Sequence, residues 1–463
     1  MRTEPPRRQK NELWGGETAM NILVLNGSPA GTNSITLQTV NYIEKFFPEQ
    51  HFDVLHVGQR IKSMEKDFAP CAQALAAADL ILFCYPVYTF LAPSQLHRFI
   101  ELMKEKGPDL TDKWAAQITT SKHFYDVTAH RFIEDNCRDL GLVCLQGLSA
   151  DMDDLLTEKG RKQALDYFRF LLWQTEKPAA DVPAKEPDAA DAPAKAQDGR
   201  VVIVTDAAPD DAELHAMIDR FTARMPRPAD VVNLREFSFA GGCLGCFRCA
   251  ADGTCVYKDG FDTFLRTRIQ TADATVYAYR IKDHSMGTLF KTYDDRQFCN
   301  GHRTVTMGKP VAYLVAGDLA AEPNLQLLME SRAQVGGNFL AGIAVSTDAP
   351  EAVDRTADTL EYAITHGLEL PQNFYGVGGL KIFRDLIYQM QGLMREDHRF
   401  YKSHGFYDDF PQKKKGRIAA MYLVGGMMKS KKLRKKMGNK MTEGMMLPYK
   451  KIMKKAEKER NRS

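Results

Sequence analysis

Along the chain, apolar residues gather in short blocks separated by stretches of helical spacing. The blocks at 21–25, 52–55, 80–85, 115–119 and 143–148 have the length and near-continuous hydrophobicity of buried strands. Between them, 35–47 and 93–106 carry helical patterns, and a helix at 159–173 closes the series. Short apolar strands interleaved with helices predict a parallel sheet covered on both faces. The alternation stops at 177–199, where Pro, Ala, Asp and Lys without periodicity predict a semi-extended, solvated linker. It restarts with strands at 201–205, 231–234, 274–280, 311–316 and 339–345 and with helices such as 213–225 and 351–367. The second series repeats the order and approximate spacing of the first, so the chain is a tandem of one α/β architecture.

The expected organisation is an unstructured extension at 1–19, a first domain at 20–176, the linker, a second domain at 200–367 and a C-terminal extension at 368–463. Within that extension, 373–395 suggests a loop containing Gly376, Gly378 and Gly379 and then an amphipathic helix packing on the second domain. The N-terminus is polar and basic with no apolar signal region, and no run is long and apolar enough to span a bilayer. A cytoplasmic location is expected. Nine cysteines in such a chain favour free thiols or metal ligation over disulfides.

The net charge of +3 conceals an asymmetry. From Lys413 onward there are 18 lysines and arginines against three acidic residues, leaving 44 against 56 in the remainder. An acidic body argues against nucleic-acid binding there. The tail interleaves basic runs such as Lys431-Lys432 and Arg434-Lys435-Lys436 with Met427, Met428, Met445 and Met446. It suits a solvated, partly helical terminus, or a segment that touches an anionic membrane surface or an acidic redox partner. Few aromatics interleave its charges, which disfavours nucleic acid.

The first strand runs into Asn26-Gly27-Ser28-Pro29-Ala30-Gly31-Thr32-Asn33-Ser34 before a helix. Hydroxyls and backbone N–H groups converging on a helix N-terminus form an anion site. The turn lacks the lysine of a P-loop and the glycine spacing of a dinucleotide fingerprint, so a monophosphate needing no magnesium suits it. After the third strand comes Tyr85-Pro86-Val87-Tyr88-Thr89-Phe90, and after the fourth Thr119-Thr120-Ser121-Lys122-His123-Phe124-Tyr125. In a doubly wound sheet, ligands bind at these carboxyl ends.

Over residues 20–176 these motifs resemble the flavodoxin-like NAD(P)H-dependent FMN reductase and quinone reductase superfamily. The resemblance implies a flavodoxin-like first domain; with the repeated alternation and the basic C-terminus, the expected fold is α/β, two tandem flavodoxin-like domains, each a five-stranded parallel sheet with helices on both faces, followed by a basic helical C-terminal tail. It implies that Ser28, Thr32, Asn33 and Ser34 hold the FMN phosphate, and that Pro86, Val87, Tyr88, Thr89 and Phe90 contact the isoalloxazine ring. Thr120 and Ser121 can face the flavin. Lys122 or His123 would place positive charge beside the ring's N1–C2 carbonyl, and His123 could instead donate a proton to the acceptor; a solvated loop histidine is the third reading.

In the second half the first-strand loop is Thr205-Asp206-Ala207-Ala208-Pro209-Asp210-Asp211, whose carboxylates would repel a phosphate. What this half has instead is Cys243-x2-Cys246-x2-Cys249-x5-Cys255, which matches the start of a cubane-cluster run. The run resembles that of iron-sulfur flavoproteins, which implies a [4Fe-4S] cluster near FMN; metal-free thiols and a four-thiolate zinc site stay open. The expected activity is an FMN-dependent oxidoreductase passing electrons from NAD(P)H to a quinone, flavin or other small acceptor, with the cluster as a relay. The alternative is an iron-sulfur flavoprotein electron carrier serving a partner reductase. A homodimer is compatible with either.

Overall fold

The computed structural model describes residues 19–88, 90–176, 199–246, 248–428 and 431–460. The expected linker at 177–199 and N-terminal extension lie, but for one residue each, outside them.

Two parallel sheets organise the chain. The first contains β1 (Asn21–Asn26), β2 (His51–Leu55), β3 (Leu80–Pro86), β4 (Trp114–Ser121), β5 (Val143–Cys144) and β6 (Leu148–Asp151). Its order is β2-β1-β3-β4-β5, with β6 also pairing with β4. The second contains β7 (Val201–Thr205), β8 (Ala229–Asn233), β9 (Ala274–Arg280), β10 (Val311–Ala316) and β11 (Leu340–Val345), ordered β8-β7-β9-β10-β11. Both orders are the doubly wound 2-1-3-4-5 arrangement of flavodoxin-like folds. Central strands such as Leu80–Tyr85 and Val201–Thr205 are buried throughout because helices cover both faces.

The expected fifth strand of the first sheet is broken in two. Gly147 sits in the break, where a Cβ would lie 2.5 Å from Gln117 and 3.0 Å from His130. The helices pack differently in the two halves. In the first, Phe47 and Phe52 meet Phe168 at 4.7 and 5.6 Å. In the second, the helices Ala212–Arg224 and Glu351–His366 are laced by Arg220–Asp354 (2.6 Å) and Arg224–Asp358 (2.7 Å), with Arg227–Glu361 (2.6 Å) just beyond.

The halves meet along an apolar seam in which Phe170, Phe339, Tyr362 and Leu368 are buried together, and Arg131 pairs with Glu330 at 2.5 Å. The expected glycine loop is instead part of the helix Phe374–Gln389. Its glycines serve close packing: a Cβ on Gly376 would lie 2.6 Å from the Gln334 carbonyl oxygen, and one on Gly379 would lie 2.7 Å from Val335. The basic tail forms the helices Lys415–Met428 and Lys431–Arg460. One face at the end of the latter is buried. Met446, Tyr449 and Ala456 are buried against Tyr42 and Leu155 of the first domain, Tyr449 donates to the Met152 carbonyl at 2.7 Å, and Lys45 pairs with Glu457 at 2.7 Å. No described helix is long and apolar enough to cross a membrane.

Candidate functional site

The carboxyl ends of β1, β3 and β4 converge on one mouth. At β1 the turn is pinned from within: Asn26 Nδ2 donates to the Gly31 carbonyl at 3.0 Å, and the Ser28 backbone N–H donates to Asn26 Oδ1 at 3.2 Å. Ser28 Oγ accepts from the Ala30 N–H at 3.3 Å, and Ser34 Oγ accepts from the Leu37 N–H at 3.3 Å, capping the helix Ile35–Glu44. Both serines are buried, so they shape the turn, while Thr32 and Asn33 are exposed at the helix N-terminus. Gly58 closes in from behind, where a Cβ would stand 2.3 Å from the Ser28 carbonyl. A tight turn with exposed hydroxyl and amide groups at a positive helix end fits the phosphate of a flavin mononucleotide.

After β3, Tyr88 and Leu91 exchange backbone hydrogen bonds of 2.8 and 3.1 Å, a turn that holds Phe90 at φ 71°. Thr89, expected to contact the ring, lies outside the described residues. Pro86 and Val87 are half-buried, whereas Tyr88 and Phe90 are exposed. After β4, His123 and Tyr125 also adopt left-handed backbones, at φ 61° and 55°. Left-handed conformations in non-glycine residues are costly, and three of them cluster around this one mouth. They gather Phe90, Phe124 and Tyr125 into an aromatic shelf with centroids 4.9–5.3 Å apart.

The two candidate catalytic residues diverge. Lys122 is held on the outside by Asp151 at 2.6 Å and Asp153 at 3.0 Å, so its charge is already neutralised. His123 turns inward. Its backbone N–H donates to Ser121 Oγ at 2.8 Å, and its Nδ1 lies 3.0 Å from Asp126 Oδ2. Asp126 is fully buried and also accepts from Ser149 Oγ at 2.6 Å and from the Phe374 backbone N–H at 2.9 Å. Burial raises its pKa, but the hydrogen bonds from His123, Ser149 and Phe374 outweigh that, and the carboxyl is held below its ordinary value. An ionised carboxylate only accepts, so His123 Nδ1 carries the proton. Thr120 Oγ1 bonds Thr36 Oγ1 at 2.7 Å, tying β4 to the helix behind the phosphate turn.

Asp126, Ser149 and Phe374 are missing from the sequence expectation. The His123-x2-Asp126 spacing at a helix start could have suggested the first. Phe374, 248 positions away, carries no local signal, yet its ring stacks on Tyr125 at 4.3 Å.

The corresponding mouth of the second domain is closed. Asp211 caps the helix Ala212–Arg224 and brings a carboxylate to its N-terminus, while Arg280 from the end of β9 grips Asp211 at 2.6 and 2.8 Å and Glu213 at 2.7 Å. Asp206 is pushed up to about 6, chiefly by burial.

The four cysteines lie in a loop anchored by Arg296, which is almost wholly buried. This guanidinium bonds both oxygens of Asp259 at 2.8 Å and the Gly241 carbonyl at 2.9 Å, and it lies over Tyr257 at 4.4 Å. Cys243 and Cys246 are exposed, while Cys249 and Cys255 are half-buried. Among the described residues, no three His, Cys, Asp or Glu side chains are gathered as a metal site. The [4Fe-4S] and zinc readings of the four thiols therefore find no support in the described residues, and metal-free thiols are the arrangement seen. Gly241 is tied to Arg296, and Cys249 enters a short helix beside the helix Arg395–Ser403.

Residues 20–131 match the family model described as NADPH-dependent FMN reductase. That segment includes the phosphate turn, the β3 loop, His123 and Asp126. No curated protein sequence matches the chain. Similar solved structures include an FMN-dependent NADH-azoreductase from Bacillus anthracis in complex with FMN, at 13% identity, covering 34% of this chain and 100% of that one with a TM-score of 0.28. An NAD(P)H:quinone oxidoreductase from Methanothermobacter marburgensis is 12% identical, covering 35% and 98% with a TM-score of 0.29. The flavoenzyme NAD(P)H:(acceptor) oxidoreductase FerB from Paracoccus denitrificans is 17% identical, covering 35% and 100% with a TM-score of 0.30.

Proposed function

We propose that the chain is an FMN-dependent NAD(P)H oxidoreductase that delivers electrons to a quinone or other small acceptor from a single flavin site in its first domain. The observation that carries this reading is that the family match over 20–131 falls on the same segment as the open phosphate turn, the strained aromatic loops and the buried His123–Asp126 pair. FMN bound there supplies hydride and single-electron chemistry.

The chain's own residues hold and orient. The N-terminus of the helix Ile35–Glu44, with Thr32 and Asn33, anchors the phosphate. Phe90, Phe124 and Tyr125, packed edge to face, offer an apolar wall for the ring and exclude water. Asp126 fixes the His123 ring with Nδ1–H inward, so Nε2 is the atom that holds or hands over a proton to the acceptor. The C-terminal extension lends the Phe374 N–H and ring to this arrangement, and the second domain needs no flavin of its own.

The test is purification under anaerobic conditions, counting flavin, iron and zinc per chain and measuring NADH and NADPH consumption with a benzoquinone and with free flavin. One FMN per chain, no stoichiometric metal and quinone-dependent turnover are expected. Two FMN per chain, or none with no turnover, would overturn the proposal.

A further inference from the structure

The helix Lys415–Met428 does not behave as part of a globular body. Every residue from Pro411 to Leu423 is exposed, including apolar Ile418, Met421, Tyr422 and Leu423 at 42, 57, 81 and 71%. At about 100° per residue Ile418, Met421 and Tyr422 share one stripe and Leu423 stands about 100° beyond Tyr422, so together the four span roughly 200° of the circumference, wider than a single stripe. An apolar helix without a polar face is normally buried, and an exposed apolar patch marks a surface that something covers.

The flanking charges identify the cover. Lys413, Lys414, Lys415 and Arg417 precede the apolar turn, and Lys429, Lys431, Lys432 and Arg434 follow it in sequence, within a segment of 18 basic and three acidic residues. A protein groove accepts one stripe of a helix and leaves the rest in water. A bilayer interface instead surrounds apolar side chains on several sides while anionic headgroups receive the flanking cations. The rest of the chain, 44 basic against 56 acidic residues, gives no attraction to such a surface. We propose that Lys415–Met428 docks the protein on an anionic membrane surface, inserting Ile418, Met421, Tyr422 and Leu423 at the headgroup level.

The docking helix is held close to the proposed redox mouth. Arg417 lies 3.5 Å from Asp153, which also binds Lys122, the neighbour of His123. Resting on the oxidoreductase reading, this makes a long-chain quinone dissolved in the bilayer the fitting acceptor class.

The test uses the full-length protein and vesicles of phosphatidylglycerol with phosphatidylcholine, or of phosphatidylcholine alone. Co-sedimentation with the anionic vesicles only, weakened by salt, is expected. Leu423→Glu with Tyr422→Glu should weaken it at least tenfold, since burying each side chain carries roughly that factor. Because both positions are exposed, the variant should keep the wild-type melting temperature. A Tyr422→Trp variant should shift its emission to the blue on adding anionic vesicles. With NADH or NADPH as donor, the double variant should lose turnover of a long-chain quinone held in vesicles and keep turnover of a water-soluble benzoquinone. Docking is overturned if the wild type stays in the supernatant, if the double variant binds equally well, or if the segment captures polyglutamate or a second copy of the chain while ignoring vesicles. Vesicle binding without turnover of either quinone would overturn the enzymatic reading and leave docking standing.

Discussion

Both sheets of this chain have the same strand order, yet one presents an open mouth and the other a closed one. In the first domain, the helix after β1 is capped by the neutral hydroxyl of Ser34 and begins beside exposed Thr32 and Asn33, so its chain supplies no negative charge there. In the second, Asp211 supplies the anion internally and Arg280 seals it against Glu213. The same topology makes a site or a scaffold according to whether the capping side chain is a neutral serine, Ser34, or an aspartate, Asp211, that already brings the negative charge. A further contrast lies around the mouths. The first is ringed by three left-handed aromatic or imidazole residues, whereas the second keeps its left-handed non-glycine residues, Asp283 and His284, in the β9 loop alone.

The largest effect is expected at Asp126. Asp126→Asn keeps the shape and removes the ionised acceptor, so His123 loses its fixed tautomer, and kcat with a quinone should fall about 100-fold, the scale of a positioned acid–base group. The FMN content should stay within a factor of two. If kcat is unchanged while its pH profile is also unchanged, His123 serves packing and not proton transfer.

Gly58→Ala tests the phosphate turn. The added Cβ would meet the Ser28 carbonyl, so the turn must shift, and overpacking of about 2 kcal/mol predicts FMN binding roughly 30-fold weaker, read by flavin fluorescence titration. Retention of wild-type affinity would place the phosphate elsewhere.

Much of this contrast is legible in the residues. The period of apolar blocks yields both sheets, and Ser28 to Ser34 against Asp206 to Asp211 already separates an anion-receiving loop from an anion-bearing one. What sequence spacing does not carry is side-chain commitment over distance. Lys122 looks as available as His123 until Asp151 and Asp153, on a strand end 29 and 31 positions away, are seen to hold it. The cysteine run has cluster-like spacing, but the loop that bears it is held by Arg296, 37 positions beyond its partner Asp259. Gly376 and Gly379 suggest a turn locally because the helix they pack against, Pro323–Gly336, is distant in sequence. Each miss comes from a long-range contact that fixes a local choice.

That Arg296 clasp also gives the halves different acid sensitivity. Hydrogen bonds from Arg296 hold the Asp259 carboxyl down at about 2, against an ordinary 3.8. Because the folded value is the lower one, this stabilisation is complete above pH 4 and is lost as pH falls towards 2, amounting to about 2 kcal/mol. Calorimetry between pH 5 and 2 should show the cysteine-bearing half losing stability faster in the wild type than in Asp259→Asn, whose own contribution is constant over that range. Equal slopes would mean that the clasp contributes nothing.

The smallest effect is the most informative about how the second mouth was closed. Arg280 is 44% exposed on its side chain, so solvent screens its ion pairs, and Arg280→Gln should cost less than about 1 kcal/mol in thermal unfolding. It should also bring no flavin into the second domain. Asp211 still occupies the helix N-terminus after the arginine is gone, and two carboxylates then stand unneutralised where a phosphate would have to enter. If Arg280→Gln instead raises the FMN count above one per chain, the arginine alone shuts the site and the carboxylates are incidental. If only a variant that also carries Asp211→Ser gains flavin, the internal anion is the cause, and the difference between the two mouths reduces to one capping residue.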